Sequence, residues 1–437
     1  MKKKYSPTLL ILIIIFSFYS CEKASKPEIT KLFTGADYYV ATNGNDANPG
    51  TYTSPFATWQ KAFDVAKAGD TVYIRGGTYY PDVTIAYGVR VYKHNGKKDS
   101  LIHIFAYPGE KPILDMSKNT NGSTNNYGIN LNTSSYWHLK GLEVIGASQH
   151  GKNMLAAGIR LSDSNNNILE QISSHDNQGL GIDIIGASED NLIINCDSYN
   201  NYDPYTTIPG GNADGFQIAF IAERNGDERI NTIRGCRAWY NSDDGFDCWR
   251  NDGIVIIDSC WSFNNGRDQG NGGGFKLGAT DGTPETVPQR IITNCLAVNN
   301  RQIGFYNNGT DVLMSIFNNT SYKNGNRGFS FYTDDIPIIV RNNLSYNNAQ
   351  TDMFLPNALC DHNSWDLNVT VTNSDFISLE YSQLNYPRKI NGNLPDITFL
   401  NLKTGSDLIN AGVIVGLPYD EKSPDVGAFE FWKITFS

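Results

Sequence analysis

An asparagine recurs through the middle of this chain at a spacing suited to a stacked fold. The motif small-x-x-Asn appears at Ser174/Asn177, Ser198/Asn201, Ala238/Asn241, Ser262/Asn265, Ala297/Asn300, Ser321/Asn324 and Ser345/Asn348. Successive Asn residues lie 24, 40, 24, 35, 24 and 24 positions apart. A base period of 24 falls in the solenoid range, and β-rich coils of that size point to a parallel β-helix. A leucine-rich repeat is disfavoured because its leucine consensus is missing. Asn tolerates left-handed turn geometry and can bond to its copy above and below, so these residues are expected to form a ladder at a tight turn.

A second motif sets the faces of the coil. Six segments share a Gly-Φ-x-Φ core (Φ apolar), with Ile182, Phe216, Phe246, Phe275, Phe305 and Phe329 following the glycine. The alternation describes a strand with one face buried and one face wet. The wet x positions read Asp183, Gln217, Asp247, Lys276, Tyr306 and Ser330. Stacked in parallel register they form one column with neighbours roughly 4.8 Å apart, which puts Asp247 one rung from Lys276. One position before each glycine, Asp214 and Asp244 stack as like charges.

The two long periods show where a groove would lie. The 40-residue coil carries ten extra residues before Gly215 and six after its strand; the 35-residue coil carries five before Gly274 and six after. Insertions in solenoids project as loops from one face, often the binding face. The loops Asp203 to Gly211, Glu223 to Glu228, Arg267 to Gly272 and Asp281 to Gln289 are therefore expected to wall a groove around Asp214 and Lys276.

The ends read differently. Lys2, Lys3 and Lys4 followed by the apolar run Leu9 to Phe16 form an export signal over residues 1–20, too short for a stable membrane span. Cys21 resembles a lipoprotein processing site, which would make 21–36 a tether and place the protein at the outer membrane, facing the cell surface or the periplasm. Ser54 and Pro55 open a helical pattern over 54–68, read as a cap on the open end of the solenoid. The first coil is expected from Gly69, and 351–437, where the repeats fade, as an irregular C-terminal cap. Residues 37–437 are read as one β-helix domain, monomeric, with caps at about 37–70 and 351–437.

Net charge is −10, and more negative once the signal lysines are removed. No basic stripe appears, which argues against a nucleic-acid partner; an acidic substrate would need bridging cations. Cys196, Cys236, Cys260 and Cys295 all occupy one repeat position, so a buried thiol stack is preferred, with disulfides within it the alternative.

Asp214, Asp243, Asp244 and Asp247 form the densest acidic group in the chain. Carboxylates about 5 Å apart repel unless protonated or bridged by a cation. Calcium, with six to eight oxygen ligands and loose geometry, suits such a set, and zinc is disfavoured because no His or accessible Cys accompanies it. Taken singly, Asp243 could equally serve turn chemistry. Lys276 can abstract a proton only when neutral, against an ordinary pKa of about 10.4. Asp247 opposes neutrality, and a cation that consumes the carboxylate charge removes that opposition, so an alkaline optimum is expected.

Asn-Ala-Asp-Gly-Phe at 212–216, Cys-Arg-Ala-Trp at 236–239, Asn-Ser-Asp-Asp-Gly-Phe-Asp at 241–247 and Gly-Gly-Phe-Lys-Leu-Gly at 273–278 resemble polysaccharide lyase family nine. The resemblance implies a right-handed parallel β-helix that cleaves pectic polysaccharide by calcium-assisted β-elimination, acting on rhamnogalacturonan I or homogalacturonan (pectate). It implies calcium ligands at Asp214, Asp243, Asp244 and Asp247 and the Brønsted base at Lys276. Phe246 stands where Tyr is also expected. Arg250, Arg301 and Arg327 are candidates for further substrate carboxylates, and Tyr306 for a sugar platform or leaving-group acid. Two alternatives remain at this point. One is a β-helical hydrolase using Asp243 and Asp244, although the Gly-His-Gly and Arg-x-Lys motifs of such enzymes are missing. The other is a non-catalytic glycan-binding solenoid.

Overall fold

The computed structural model describes residues 35–431, apart from 123–124, 153, 222–228, 280–287, 311, 333–335 and 355–357. The export signal, Cys21, most of the tether, the loop Glu223–Glu228 and most of the loop at 281–289 lie outside the described residues. Each coil visits three parallel sheets in turn, as in Ile230–Arg234, Arg237–Trp239 and Phe246–Asp247. Among the described residues the three hold twelve, ten and ten strands, each strand pairing with the equivalent strand of the next coil. The second and third are called here the flank sheet and the site sheet.

The repeat residues account for this stacking. Inward on the site sheet, Phe216, Phe246, Phe275, Phe305 and Phe329 stack ring on ring, with centroids 4.6 to 5.0 Å apart and planes within 9°. Such contacts add about 0.5–1.5 kcal/mol each beyond burial. At the turn between flank and site sheets, the seven Asn side chains form an unbroken ladder. Each Nδ2 donates to the Oδ1 of the next at 2.8–3.1 Å, from Asn177 through Asn348. The left-handed residue is the one before each ladder Asn, not the Asn itself. Asp176, Asn200, Tyr240, Asn264, Asn299, Lys323 and Asn347 take positive φ there. The turn thus separates its two tasks, backbone reversal at one residue and side-chain bonding at the next.

The cysteine column is a sulfur version of the same device. Backbone N–H groups of Ile172, Cys196, Cys236 and Cys260 donate to the Sγ of the next rung at 3.3–3.4 Å. Asn319 takes over from Cys295, and Asn343 and Asn363 follow, each accepting with Oδ1 at 2.9 Å. The four stacked cysteines are buried free thiols.

The coil begins earlier than Gly69, because Tyr38–Val40 already pairs with Thr71–Ile74. The helix inserted between them spans Trp59–Val65 with Thr58 as its N-cap. It starts later than Ser54 because Phe56 is held extended against Val40, and the Asp46 carboxylate takes the N–H groups of Ala57 and Thr58. Trp59, Ala62 and Phe63 bury against the coil, with Phe63 stacked on Trp137 at 5.4 Å.

At the other end, Met353–Phe354 and Ala358–Asp361 still pair in register, so the coil runs past 351. Phe354 and Trp365 close over Phe329 and Phe331. The chain beyond turns back along the outside of the flank sheet. Leu384, Phe399, Leu400 and Leu402 pack there in one cluster with Trp261, Phe263, Leu296 and Tyr322. That outward face is apolar and would otherwise lie open to water. Arg388 anchors this strap through charge. Its Nη2 lies 2.7 Å from Asp197 Oδ1, and it donates to the carbonyls of Cys196 and Gly235 at 2.9 Å. Arg237 shares the same carboxylate.

Two expectations follow. Asn265 accepts from Asn241 and donates to Ala238 O, Ser262 Oγ and Asn300 Oδ1. Asn265→Ala strands several of these buried groups and should cost about 3 kcal/mol in chemical denaturation; a loss under 1 kcal/mol would deny the ladder its stabilising role. Arg388→Ala should cost roughly 3 kcal/mol through the weakened buried pair. Burial alone would raise the Asp197 carboxyl, but Arg237 and Arg388 overcome it and hold it below its ordinary value. Its contribution is therefore complete above the unfolded pKa of about 3.9 and is lost as pH falls through the lower folded value. The stability gap between wild type and R388A should narrow in acid, and a gap independent of pH would contradict the ion-pair account.

Candidate active site

The outward row of the site sheet runs Asp183, Gln217, Asp247, Lys276, Tyr306, Ser330 in direct register. The column is as expected, but it is not wet. Asp183, Asp247, Lys276 and Ser330 are buried, and Lys276 is 8% exposed. Long side chains from the row and beside it lie across the sheet. Arg160 Nη1 sits 3.2 Å from Asp183 Oδ2, and Lys276 Nζ sits 4.8 Å from the centre of the Trp249 ring.

One position before the glycines, the aspartates join the rung-to-rung bonding. Asp214 Oδ1 accepts the N–H of Asp244 at 2.9 Å, and Asp244 Oδ1 accepts the N–H of Gly273 at 2.6 Å. Each carboxylate therefore spends one oxygen on the next coil and turns the other to the site. Asp214 Oδ2 accepts from Gln217 Nε2 at 3.2 Å, Asp244 Oδ2 lies 3.2 Å from Lys276 Nζ, and Asp247 Oδ2 accepts from that amine at 3.1 Å. Asp247 Oδ1 is buried with no hydrogen-bond partner. One oxygen from each of Asp214, Asp244 and Asp247 falls within a 4.8 Å group.

Asp243 stands outside that group. It is buried, and its Oδ1 accepts the N–H of Asn271 at 2.9 Å, which ties down the loop 267–272. It acts on the site through charge. Asp214 is pushed well above the usual carboxylate range by burial and then by Asp247, Asp243 and Asp244. Burial and Asp244 raise Asp243; burial raises Asp247 despite Lys276. For Lys276, burial alone would favour the neutral amine, but Asp244, Asp247, Asp214 and Asp243 outweigh it and hold the ammonium well above its ordinary pKa. One lysine thus faces four buried acids, an imbalance that a hard divalent cation would correct. The all-oxygen donor set and the unpaired Asp247 Oδ1 fit calcium.

Three residues carry weight here in roles that the sequence does not signal, although Gln217 and Gly273 fall within its motifs. Trp249 is one. Gln217, which holds Asp214, is another. Gly273 is the third: a Cβ there would sit 2.6 Å from Tyr306 Cε1 and 2.7 Å from Asp244 Oδ1. Its bareness lets Tyr306 lean in, with its hydroxyl donating to Asp244 Oδ1 at 3.3 Å. Burial and the aspartates hold the Tyr306 hydroxyl well above its ordinary pKa, so it stays a donor.

The arginines do not converge on the triad. Arg301 Nη1 donates to the carbonyls of Asp268 and Gly270, bracing the loop wall. Arg250 is exposed beside Trp249, with φ 47°. Arg327 follows two rungs beyond Gly273, near Asp352, with its Nε buried and without a hydrogen bond. Of the four expected loops, 203–211 and 267–272 are described and meet over the site. Gly210 approaches Gly270, where any Cβ would lie 1.6 Å from Ser242 O.

Residues 38–357 match the family described as Pel9A-like, right handed beta helix region. The chain is 34% identical over 406 residues to pectate lyase L of Dickeya chrysanthemi, covering 90% of each. It superposes on the crystal structure of pectate lyase Pel9A with a TM-score of 0.75 and 32% identity, covering 90% of this chain and 96% of that one. A structure titled rhamnogalacturonan lyase gives a TM-score of 0.75 at 33% identity, covering 86% and 98%.

Gly273→Ala tests the packing of this site without altering a charge. The added methyl should displace Tyr306 and Asp244 and weaken calcium binding about tenfold in calorimetric titration, or 1.4 kcal/mol. Unchanged affinity would show that Asp244 is not held by this contact.

Proposed function

The chain belongs to polysaccharide lyase family nine, with a right-handed parallel β-helix as its fold, and from that premise we propose that it cleaves the galacturonate-containing backbone of pectin by calcium-assisted β-elimination, with Lys276 as the base. The observation that carries this reading is the amine of Lys276 lying 3.1–3.2 Å from two members of a buried carboxylate triad. Asp214, Asp244 and Asp247 would hold the ion, with Asp243 adding charge from the adjoining loop. A bound calcium supplies fixed positive charge that polarises a uronate carboxylate and so acidifies the adjacent C5 proton. With the aspartate charge consumed, burial is what remains acting on Lys276, and it favours the free amine that can take that proton. Electrons from the C5–H bond form the C4–C5 double bond as the C4–O bond breaks; the oxygen leaves with the preceding sugar and takes a proton from solvent, and the other fragment carries an unsaturated uronide end. Tyr306, still protonated and one rung from Lys276, is placed to donate a hydrogen bond beside the reacting centre.

Because the free amine is the reactive form, turnover should rise toward alkaline pH. The Asp243/Asp244 hydrolase reading is not carried forward, because the similar proteins are lyases. The signal at 1–20 and Cys21 support export and lipid attachment at the outer membrane, and the enzyme is proposed to work as a monomer.

The test uses purified homogalacturonan and rhamnogalacturonan I backbones with calcium, then chelator, following ultraviolet absorbance of unsaturated ends. Turnover of at least one backbone is expected, abolished by chelation and restored by calcium. Lys276→Ala in saturating calcium should lower kcat about a thousandfold. Normal activity of that variant would refute the base assignment, and chelator-insensitive turnover would refute the metal.

A further inference from the structure

At the turn between flank and site sheets, seven successive rungs hold one equivalent residue at φ 51–57°. A side chain in that region costs on the order of 1 kcal/mol, which Asn and Asp recover by local bonding. The column accordingly reads Asp176, Asn200, Asn264, Asn299 and Asn347, with two departures, Tyr240 and Lys323. Neither departure is required by the coil, since Asn serves the same turn on neighbouring rungs. Tyr240 is 47% exposed.

Tyr240 opens onto a hollow of about 410 Å³ whose rim includes Asn264, Asn299, Arg267, Arg301 and Tyr381. Arg267 crosses the Tyr202 ring at 5.3 Å and donates to Asn200, and its Nε is buried without a hydrogen bond, 3.7 Å from Asp268. Tyr381 arrives from the C-terminal strap, with Lys323 Nζ 6.0 Å from its ring. Among the described residues no carboxylate lines the hollow, although the chain is acidic overall. Arg267 gives both Nη atoms to Asn200 and Arg301 gives Nη1 to two loop carbonyls, which leaves part of each five-donor guanidinium over; with two tyrosines on the same rim this suits a sugar that carries negative charge.

The hollow adjoins the carboxylate triad. The segment from Gly266 to Gly273 is a shared wall: Arg301 holds the carbonyls of Asp268 and Gly270 from one side, while Asn271 and Gly273 donate to Asp243 and Asp244 on the other. The rungs that begin at Tyr240, Asn264 and Asn299 continue into Asp247, Lys276 and Tyr306.

We propose that this hollow is a second docking point for the polyuronate substrate, taking a uronate residue beyond those held at the triad, with its carboxylate on Arg267 and Arg301 and its ring against Tyr240. The inference rests on the polyuronate reading above. It makes the enzyme a reader of chain length, since only oligomers long enough to cross the 266–273 wall reach both places.

The test is binding of galacturonate oligomers of increasing length to full-length Lys276→Ala protein in calcium, by titration calorimetry. Affinity should rise with length in this parent. Adding Tyr240→Asn, the residue the column itself prefers, should weaken the longest oligomer about tenfold and the shortest much less, with no fall in thermal midpoint because backbone strain is relieved. Arg267→Gln should act in the same direction. Equal binding of long oligomers by the parent and both double variants would overturn the hollow while leaving the triad intact. A parent that binds no oligomer of any length, together with wild type that releases no unsaturated product, would remove the polyuronate reading itself.

Discussion

Everything in this protein hangs on hydrogen bonds between equivalent residues of successive coils. Parallel strands bond evenly along their length and could slip, but a side-chain ladder fixes one register. Asn177 to Asn348 supply that fix at one corner, and the cysteine-then-asparagine column supplies it at another. Once the register is set, residues some thirty positions apart in sequence become neighbours one strand spacing apart. The Phe stack inside and the polar row outside are consequences of that alignment, not independent causes.

The site uses the same bonding with a different residue. An aspartate accepts a backbone N–H from the next coil as readily as an amide or thiol does, so Asp214 and Asp244 satisfy the ladder's requirement with one oxygen each. The other oxygen is then delivered, buried and charged, to a spot where its neighbour's is delivered too. A neutral ladder tolerates this stacking indefinitely. A charged one does not, and the repulsion shows as carboxyls driven upward at Asp214, Asp243 and Asp247. Structural and chemical demands on these residues are met by separate atoms of one side chain.

What could be read from the sequence was whatever the repeat enforces. The period, the Asn ladder, the phenylalanine stack, the Asp247–Lys276 adjacency and the stacked aspartates all follow from position within the coil. What could not be read depends on side-chain reach. The outward row was expected wet because alternation says which face a residue takes, not what lies over it; Arg160 and Trp249 do. Asp243 sits between Asp244 and the turn, and its partner Asn271 belongs to a loop that no repeat describes. Gly273 looks like an ordinary turn glycine until Tyr306 is seen resting on it. The left-handed residue lies one position before the Asn that the motif marks, since small-x-x-Asn signals the bonding residue more strongly than the bending one. The strap from 367 onward has no period, so its course along the flank sheet was invisible, as was its anchor at Arg388.

A solenoid of this kind separates stability from surface chemistry unusually far. Inward residues and ladder positions are constrained at every rung, whereas the left-handed corner needs only a residue that tolerates positive φ. Substitution there costs little and leaves the ladder Asn beside it untouched, so Tyr240 and Lys323 can depart from the column while Asn241 and Asn324 remain in place. The apolar residues of the C-terminal strap cover Trp261 and Leu296, and Tyr381, packed against the edge of that cluster, also lines the hollow. A surface assembled from such unconstrained positions can present aromatic and cationic groups to a long acidic polymer without altering the coil that aligns the aspartates and Lys276.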